Sequence, residues 1–131
     1  MVTSSAARRP ETPRQYDAYD PSCPSRGLFD RLSDKWVGLV VSALGDGPLR
    51  YTDLARAVAG VSQKMLTQTL RTLERDGLVS RRVTPSVPVR VDYELTPLGW
   101  TLMPLLYAVK EWAEVHMAEV ESARAAYDAD R

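Results

Sequence analysis

Residues 62–77 read SQKMLTQTLRTLERDG, and the fold of the chain turns on how this stretch is wound. As a helix it has two faces. Leu66, Leu70 and Leu73 recur at i, i+4, i+7, with Met65 and Thr69 beside them, which makes one apolar stripe. Lys64, Thr67, Gln68, Arg71 and Arg75 recur at i, i+3, i+4, i+7, i+11 and make a second stripe of long donors. Ser62 is an N-cap candidate, and Gly77 stands where a helix would stop. Lys, Gln and Arg on one exposed helix face reach phosphates and base edges in a major groove. An ordinary surface helix carries a mixed polar face too, so the neighbouring stretches decide between the two.

On the N-terminal side, Tyr51 to Ala59 reads as a short helix, with Thr52 as a possible cap and Leu54, Ala57 and Val58 facing inward. Gly60 closes it, and Val61-Ser62 starts the next helix after a very short turn. Two helices joined this tightly, the second one basic, form the helix-turn-helix pattern. On the C-terminal side, Leu78 to Thr84 and Val89 to Leu95 read as two strands around Pro85-Ser86-Val87-Pro88. Val89, Val91, Tyr93 and Leu95 alternate with Arg90, Asp92 and Glu94, a period of two. The hairpin reads as a wing, with Arg81, Arg82 and Arg90 charging it. One of its faces can also cover the core.

Further out, Pro24 suits a first helical turn, and Leu28, Phe29 and Leu32 form a short apolar patch. Trp36, Leu39, Val40, Ala43 and Leu44 predict a core helix, capped by Ser33 or Asp34 and ended by Gly45-Asp46-Gly47-Pro48. Thr96-Pro97 opens a long terminal helix along Leu98, Leu102, Leu105, Val109 and Trp112, prolonged by His116 and Val120. Pro104 lies inside it and should kink or split it. The first two turns of this seam suffice to pack on the chain's own core. The remainder exceeds what so small a body covers and points to pairing between subunits.

The fold class expected is mainly α with a small β-hairpin (α+β): a winged helix-turn-helix with a long C-terminal dimerisation helix. Residues 1–22 read as a flexible arm, 23–115 as the domain with its dimerisation helices, and 116–131 as helix end and tail. In the arm, Glu11, Asp17 and Asp20 offset Arg8, Arg9 and Arg14.

The 131 residues carry 17 Lys/Arg and 17 Asp/Glu, and a balanced chain by itself argues against a polyanion partner. The distribution argues otherwise. Residues 50–90 hold eight Lys/Arg against three acids, whereas residues 91–131 hold three against eight. A basic middle suits a polyanion and an acidic end suits water or a partner. No apolar run approaches the roughly 20 residues of a membrane span. With no secretory signal and a lone cysteine, a reducing cytoplasm is the expected location. One His, one Cys and no usefully spaced carboxylate pair leave no acid, base, nucleophile or zinc tetrad to assign, so neither an enzyme nor a cofactor is expected.

Taken together, these stretches resemble HxlR-type transcriptional regulators, a branch of the MarR-like winged-helix proteins. The resemblance is carried by Cys23-Pro24, Lys35-Trp36, residues 47–51 (GPLRY), residues 61–66 (VSQKML), Leu70 to Val79, and Tyr93-Glu94-Leu95-Thr96 with Gly99. It spans roughly residues 23 to 115. It implies a homodimer joined through the terminal helical regions, with two recognition helices in successive major grooves of double-stranded DNA. It also implies a cysteine near the first helix that senses oxidants or electrophiles, and Cys23 stands at that place. Members that switch by a disulfide between subunits often use a second cysteine, which this chain lacks. The wing also has Pro88-Val89-Arg90 where a Pro-Pro pair is usual.

The expected function is a dimeric, sequence-specific repressor on a palindromic operator. Its alternative is a winged-helix module for protein partners without specific DNA binding. Ser62 and the first-turn amides would meet a phosphate. Gln63, Lys64, Thr67, Gln68 and Arg71 would read the groove, while Arg50, Arg82 and Arg90 would clamp phosphates. Leu28, Leu105, Val109, Trp112 and His116 are the expected interface residues. Cys23 stands either as a thiol sensor or as a small buried hydrophobe. A small-molecule inducer held between the DNA-binding part and the dimer helices is the other expected switch.

Overall fold

The structure is a computed structural model that describes residues 15–131, so Arg8, Arg9 and Arg14 of the expected arm lie outside the described residues. The elements run α1 (Ser25–Leu32), α2 (Lys35–Ala43), a 3-10 turn (Leu44–Asp46), β1 (Leu49–Arg50) and α3 (Tyr51–Ala57). They continue with α4 (Gln63–Arg75), β2 (Val79–Thr84), β3 (Arg90–Leu95) and α5 (Pro97–Ala129). Residues up to Arg31 and residues from Leu32 onward form two units.

In the first unit residues 17–24, just before α1, are built of turns. The Asp17 carboxylate accepts from the Tyr19 N–H, and the Asp20 carboxylate accepts from the Ser22 N–H and hydroxyl. The Arg26 guanidinium donates to the carbonyls of Ala18 and Tyr19.

In the second unit α4 is the floor. Leu66, Leu70 and Leu73 are 0, 2 and 1% exposed, and they share one core with Val40, Val41, Leu44, Leu54, Val79 and Leu95. Burying a leucine this fully stabilises by about 1.5–3 kcal/mol, so the apolar stripe fixes which way α4 faces. Thr69 is buried with it, whereas Met65 is exposed. The Ser62 hydroxyl caps the helix by accepting from the Met65 N–H at 3.0 Å. At the other end Gly77 takes φ +77°, with its N–H on the Glu74 carbonyl and the Leu78 N–H on the Leu73 carbonyl. That is a Schellman stop, which needs the left-handed conformation glycine adopts without strain.

Several sequence expectations are corrected in detail. The buried residues of α2 are Val37, Val40 and Val41, while Trp36, Leu39 and Ala43 are partly buried. Helix α2 touches α3, α4 and α5, so no single stripe describes it, and Trp36 sits at the rim with the Lys35 ammonium over its ring. Asp34, not Ser33, is the residue whose side chain caps α2 through the Trp36 N–H. Helix α3 ends at Ala57 rather than Ala59, Arg50 rather than Thr52 is its N-cap, and Ala57 is exposed. The chain leaves the helix at Val58 and turns through Gly60 at φ +93°. The sheet has three strands in the order β1-β3-β2, all antiparallel, because Leu49 and Arg50 pair with Tyr93 and Asp92. Two residues are too few to show a period of two.

Helix α5 is one unbroken helix of 33 residues through Pro104, so the expected split does not occur. Proline removes one N–H and leaves the Trp100 carbonyl without its helical partner, a loss the turns on either side outweigh. Helix α5 packs on the core through Leu102, Met103 and Leu106, whereas Leu98, expected inside, is 56% exposed. Its start is locked to the end of α4. The Thr96 hydroxyl donates to the Gly77 carbonyl at 2.6 Å and accepts from the Gly99 N–H, and the Thr96 N–H bonds the Leu78 carbonyl. A Cβ at Gly99 would land on the Leu78 carbonyl oxygen, backbone that has no side-chain freedom to yield.

Gly99→Ala therefore pits a helix-propensity gain of up to about 1 kcal/mol against overpacking of about 1–3 kcal/mol or more. The clash wins because backbone cannot swing aside. Urea unfolding is expected to show Gly99→Ala less stable than the natural chain. A midpoint at or above that of the natural chain would contradict the close approach.

Candidate nucleic-acid interface

The buried leucines turn the opposite side of α4 to solvent. Gln63, Lys64, Gln68 and Arg71 are exposed and Thr67 is partly buried. The five side chains line one open concavity of about 480 Å³ along the helix. Five residues of one helix cannot enclose a ligand, so the concavity records how the side chains splay from a single face. Among the described residues, Lys64 and Arg71 make no ion pair, which leaves both charges available. Ser62 spends one lone pair on the cap and keeps its hydroxyl proton to donate.

Thr67 is the residue whose expected role changes most. Its hydroxyl lies 3.3 Å from the Tyr51 hydroxyl, which itself donates to the Gln63 carbonyl at 3.1 Å. Sequence reasoning missed Tyr51, because a hydroxyl that reaches across a helix-turn-helix angle leaves no periodic trace.

The basic residues outside α4 divide into two groups. Arg50 ends β1, exposed and without an ion-pair partner among the described residues. Arg82 and Arg90, expected as phosphate clamps, are instead occupied within the wing. Arg82 lies 3.5 Å from Glu94 and Arg90 lies 3.0 Å from Asp92. The register explains this. Arg82 stands opposite Asp92 and Thr84 opposite Arg90, so these side chains share the sheet face turned away from Tyr93 and Leu95. Exposed pairs of this kind contribute about 0–1 kcal/mol, so a phosphate can compete with either acid. Arg81 is exposed with no ion-pair partner among the described residues. Val87 and Val89 are exposed at the wing tip.

Of the expected interface residues, Leu105, Val109 and Trp112 are 64, 67 and 58% exposed on α5. His116 is partly buried, stacked on Trp112 at 4.6 Å with Nδ1 at the Trp112 carbonyl. Leu28 is exposed on α1. Cys23 is a free, partly buried thiol just before α1, and its sulfur lies 2.9 Å from the Ser25 hydroxyl. That hydrogen bond favours the thiolate and holds the thiol below its usual range, against opposing desolvation and the nearby Asp20 charge. Among the described residues no group of three His, Cys, Asp or Glu could hold a metal ion, and no helix is long and apolar enough to cross a membrane.

A capped, leucine-anchored second helix, a tight turn before it and a hairpin after it define a winged helix-turn-helix protein. Residues 31–121 match the HxlR-like helix-turn-helix family, and the chain belongs to that family of transcriptional regulators. It is 38% identical over 111 residues to the HTH-type transcriptional regulator YtfH of Escherichia coli, covering 85% of this chain and 88% of that one. The solved structure of the transcriptional regulator ytfH from Salmonella typhimurium superposes with TM-score 0.79 at 38% identity, over 84% of this chain and 98% of that chain. The redox regulator HypR in its reduced form superposes with TM-score 0.68 at 38% identity, over 76% and 98%.

Proposed function

We propose that this regulator is a homodimeric repressor that binds a palindromic operator by placing α4 in the major groove. The observation that carries the reading is the division of α4 into a leucine face held in the core and a Gln63–Arg71 face held in solvent. On that face, glutamine can bond adenine bidentately, and arginine or lysine can bond guanine. Ser62 and the free amides at the start of α4 suit a phosphate. Arg50 clamps the backbone directly, and Arg82 and Arg90 do so by exchanging Glu94 and Asp92 for phosphate. Two copies related by a two-fold axis space the half-sites by about one helical turn, roughly 34 Å.

The homodimer is supported by α5. At 33 residues it is about 50 Å long, yet among its described residues only Gly99 is fully buried. Leu105, Val109, Trp112 and His116 recur at i, i+4, i+7, i+11 on the side left open, with Leu28 of α1 as a further exposed contact. A second copy covers such a seam. A cytoplasmic location fits this reading.

The switch is assigned to Cys23 or to a small-molecule effector held between the DNA-binding part and the dimer helices. The Ser25 hydroxyl favours a reactive thiolate at Cys23, and a relative described as a redox regulator has a similar structure.

The DNA reading is checked by affinity for duplexes. Arg71→Ala is expected to cost about 1–3 kcal/mol on the operator and far less on random duplex. Equal weakening on both would reduce Arg71 to a phosphate contact. An affinity that ignores salt would remove DNA as the partner altogether and favour a protein-binding module, since phosphate contacts release counterions. For the switch, diamide or a quinone is expected to release the natural chain from its operator and to leave Cys23→Ser bound. Release of both proteins alike would exclude Cys23 as the sensor.

A further inference from the structure

We infer that Tyr51 is a positioning residue for sequence readout, acting through its hydroxyl on the first turn of α4. The inference rests on the groove-reading role of α4 proposed above. Tyr51 is the first residue of α3, and its hydroxyl reaches twelve positions along the chain to the Gln63 carbonyl at 3.1 Å. One phenolic proton serves one acceptor well, so with that proton on Gln63 the 3.3 Å contact to Thr67 has the threonine as donor. The result is a chain running from the Thr67 hydroxyl to the Tyr51 hydroxyl to the Gln63 carbonyl. It crosses the angle between the two helices at the end of α4 where Gln63, Lys64 and Thr67 lie.

Two consequences follow. Thr67 has committed its only side-chain donor, so toward a base it offers a remaining lone pair or its methyl, and toward a phosphate it has no hydroxyl proton to give. The direction of α4 also gains a polar constraint that the leucine stripe does not supply, because apolar packing is non-directional. Arg71 lies eight residues beyond Gln63, about 12 Å along the axis. A tilt of about 10° at the first turn therefore moves Arg71 by roughly 2 Å, enough to break the narrow geometry of a bidentate hydrogen bond. Phosphate contacts by flexible arginines tolerate such a shift.

Tyr51→Phe keeps the ring and its packing while it removes the hydroxyl. With the full-length natural chain as reference, operator affinity is expected to fall about five- to tenfold. Affinity for random duplex should change less than twofold, and the slope of log affinity against log salt should stay the same. An operator-to-random ratio that is large in the natural chain and unchanged in Tyr51→Phe overturns this inference alone. So does an equal loss on both duplexes with a shallower salt slope, which would make Tyr51 a direct phosphate ligand. A natural chain with no preference for any sequence overturns the groove reading, and this inference with it. Thr67→Val is the companion variant. Combined with Tyr51→Phe it should lower the ratio no further than the larger single effect, and full additivity would contradict a shared hydroxyl chain.

Discussion

The junction at Thr96 is the constraint on which the rest of the second unit depends. One side chain and one N–H hold three segments at once: the end of α4 through Gly77, the start of β2 through Leu78, and the start of α5 through Gly99. Hydrogen bonds of this kind contribute only about 0.5–1.5 kcal/mol each. Their importance is geometric, because the missing Cβ at Gly99 lets α5 begin directly against the Leu78 carbonyl. The Schellman stop of α4 and the cap of α5 are thus one structure.

Much of this was legible in the amino-acid order, and the reasons are physical. Helix α4 announces itself because two chemically opposite stripes, a serine cap and a terminal glycine all agree on one period and one pair of ends. The wing is legible because alternation from Val89 to Leu95 is a signal specific to a half-buried strand. What stayed hidden is what short range cannot encode. Strand β1 spans two residues and exists only because β3 offers it a ladder. The burial of Val37 and Val41 beside the expected stripe of α2 was not legible, because three helices press on α2 from different sides. Of the kink or split expected at Pro104, the split does not occur, since one missing hydrogen bond is a small loss beside 33 residues of continuous helix. For the candidate site, the outward face of α4 was readable from periodicity. The Tyr51 bridge to Gln63, and the pairing of Arg82 and Arg90 with Glu94 and Asp92, depend on contacts between elements that periodicity does not report.

Charge is distributed to match. The whole chain is neutral, yet among the described residues the outer face of α4 retains unpaired cations, while Arg82 and Arg90 of the wing are held by acids of β3 and Arg81 is not. Among the described residues this leaves Lys64 and Arg71 without an ion-pair partner and makes the contribution of Arg82 and Arg90 conditional on an exchange of partners. Such an exchange costs little at the surface, where each pair is weak. The terminal helix carries the opposite sign and an open apolar seam. Under the proposed function its two properties serve separate ends: apolar side chains join the copies, and acids keep the outer surface soluble and away from DNA.

Under the proposed function α4 reads base sequence as one half of a two-fold pair. Selection of bound sequences from a random duplex pool by the full-length protein tests it most directly. The expected product is a palindrome whose half-sites lie about one helical turn, roughly 34 Å, apart. Enrichment of a single unrepeated site would contradict the two-fold arrangement, and a pool that stays random would contradict groove reading itself.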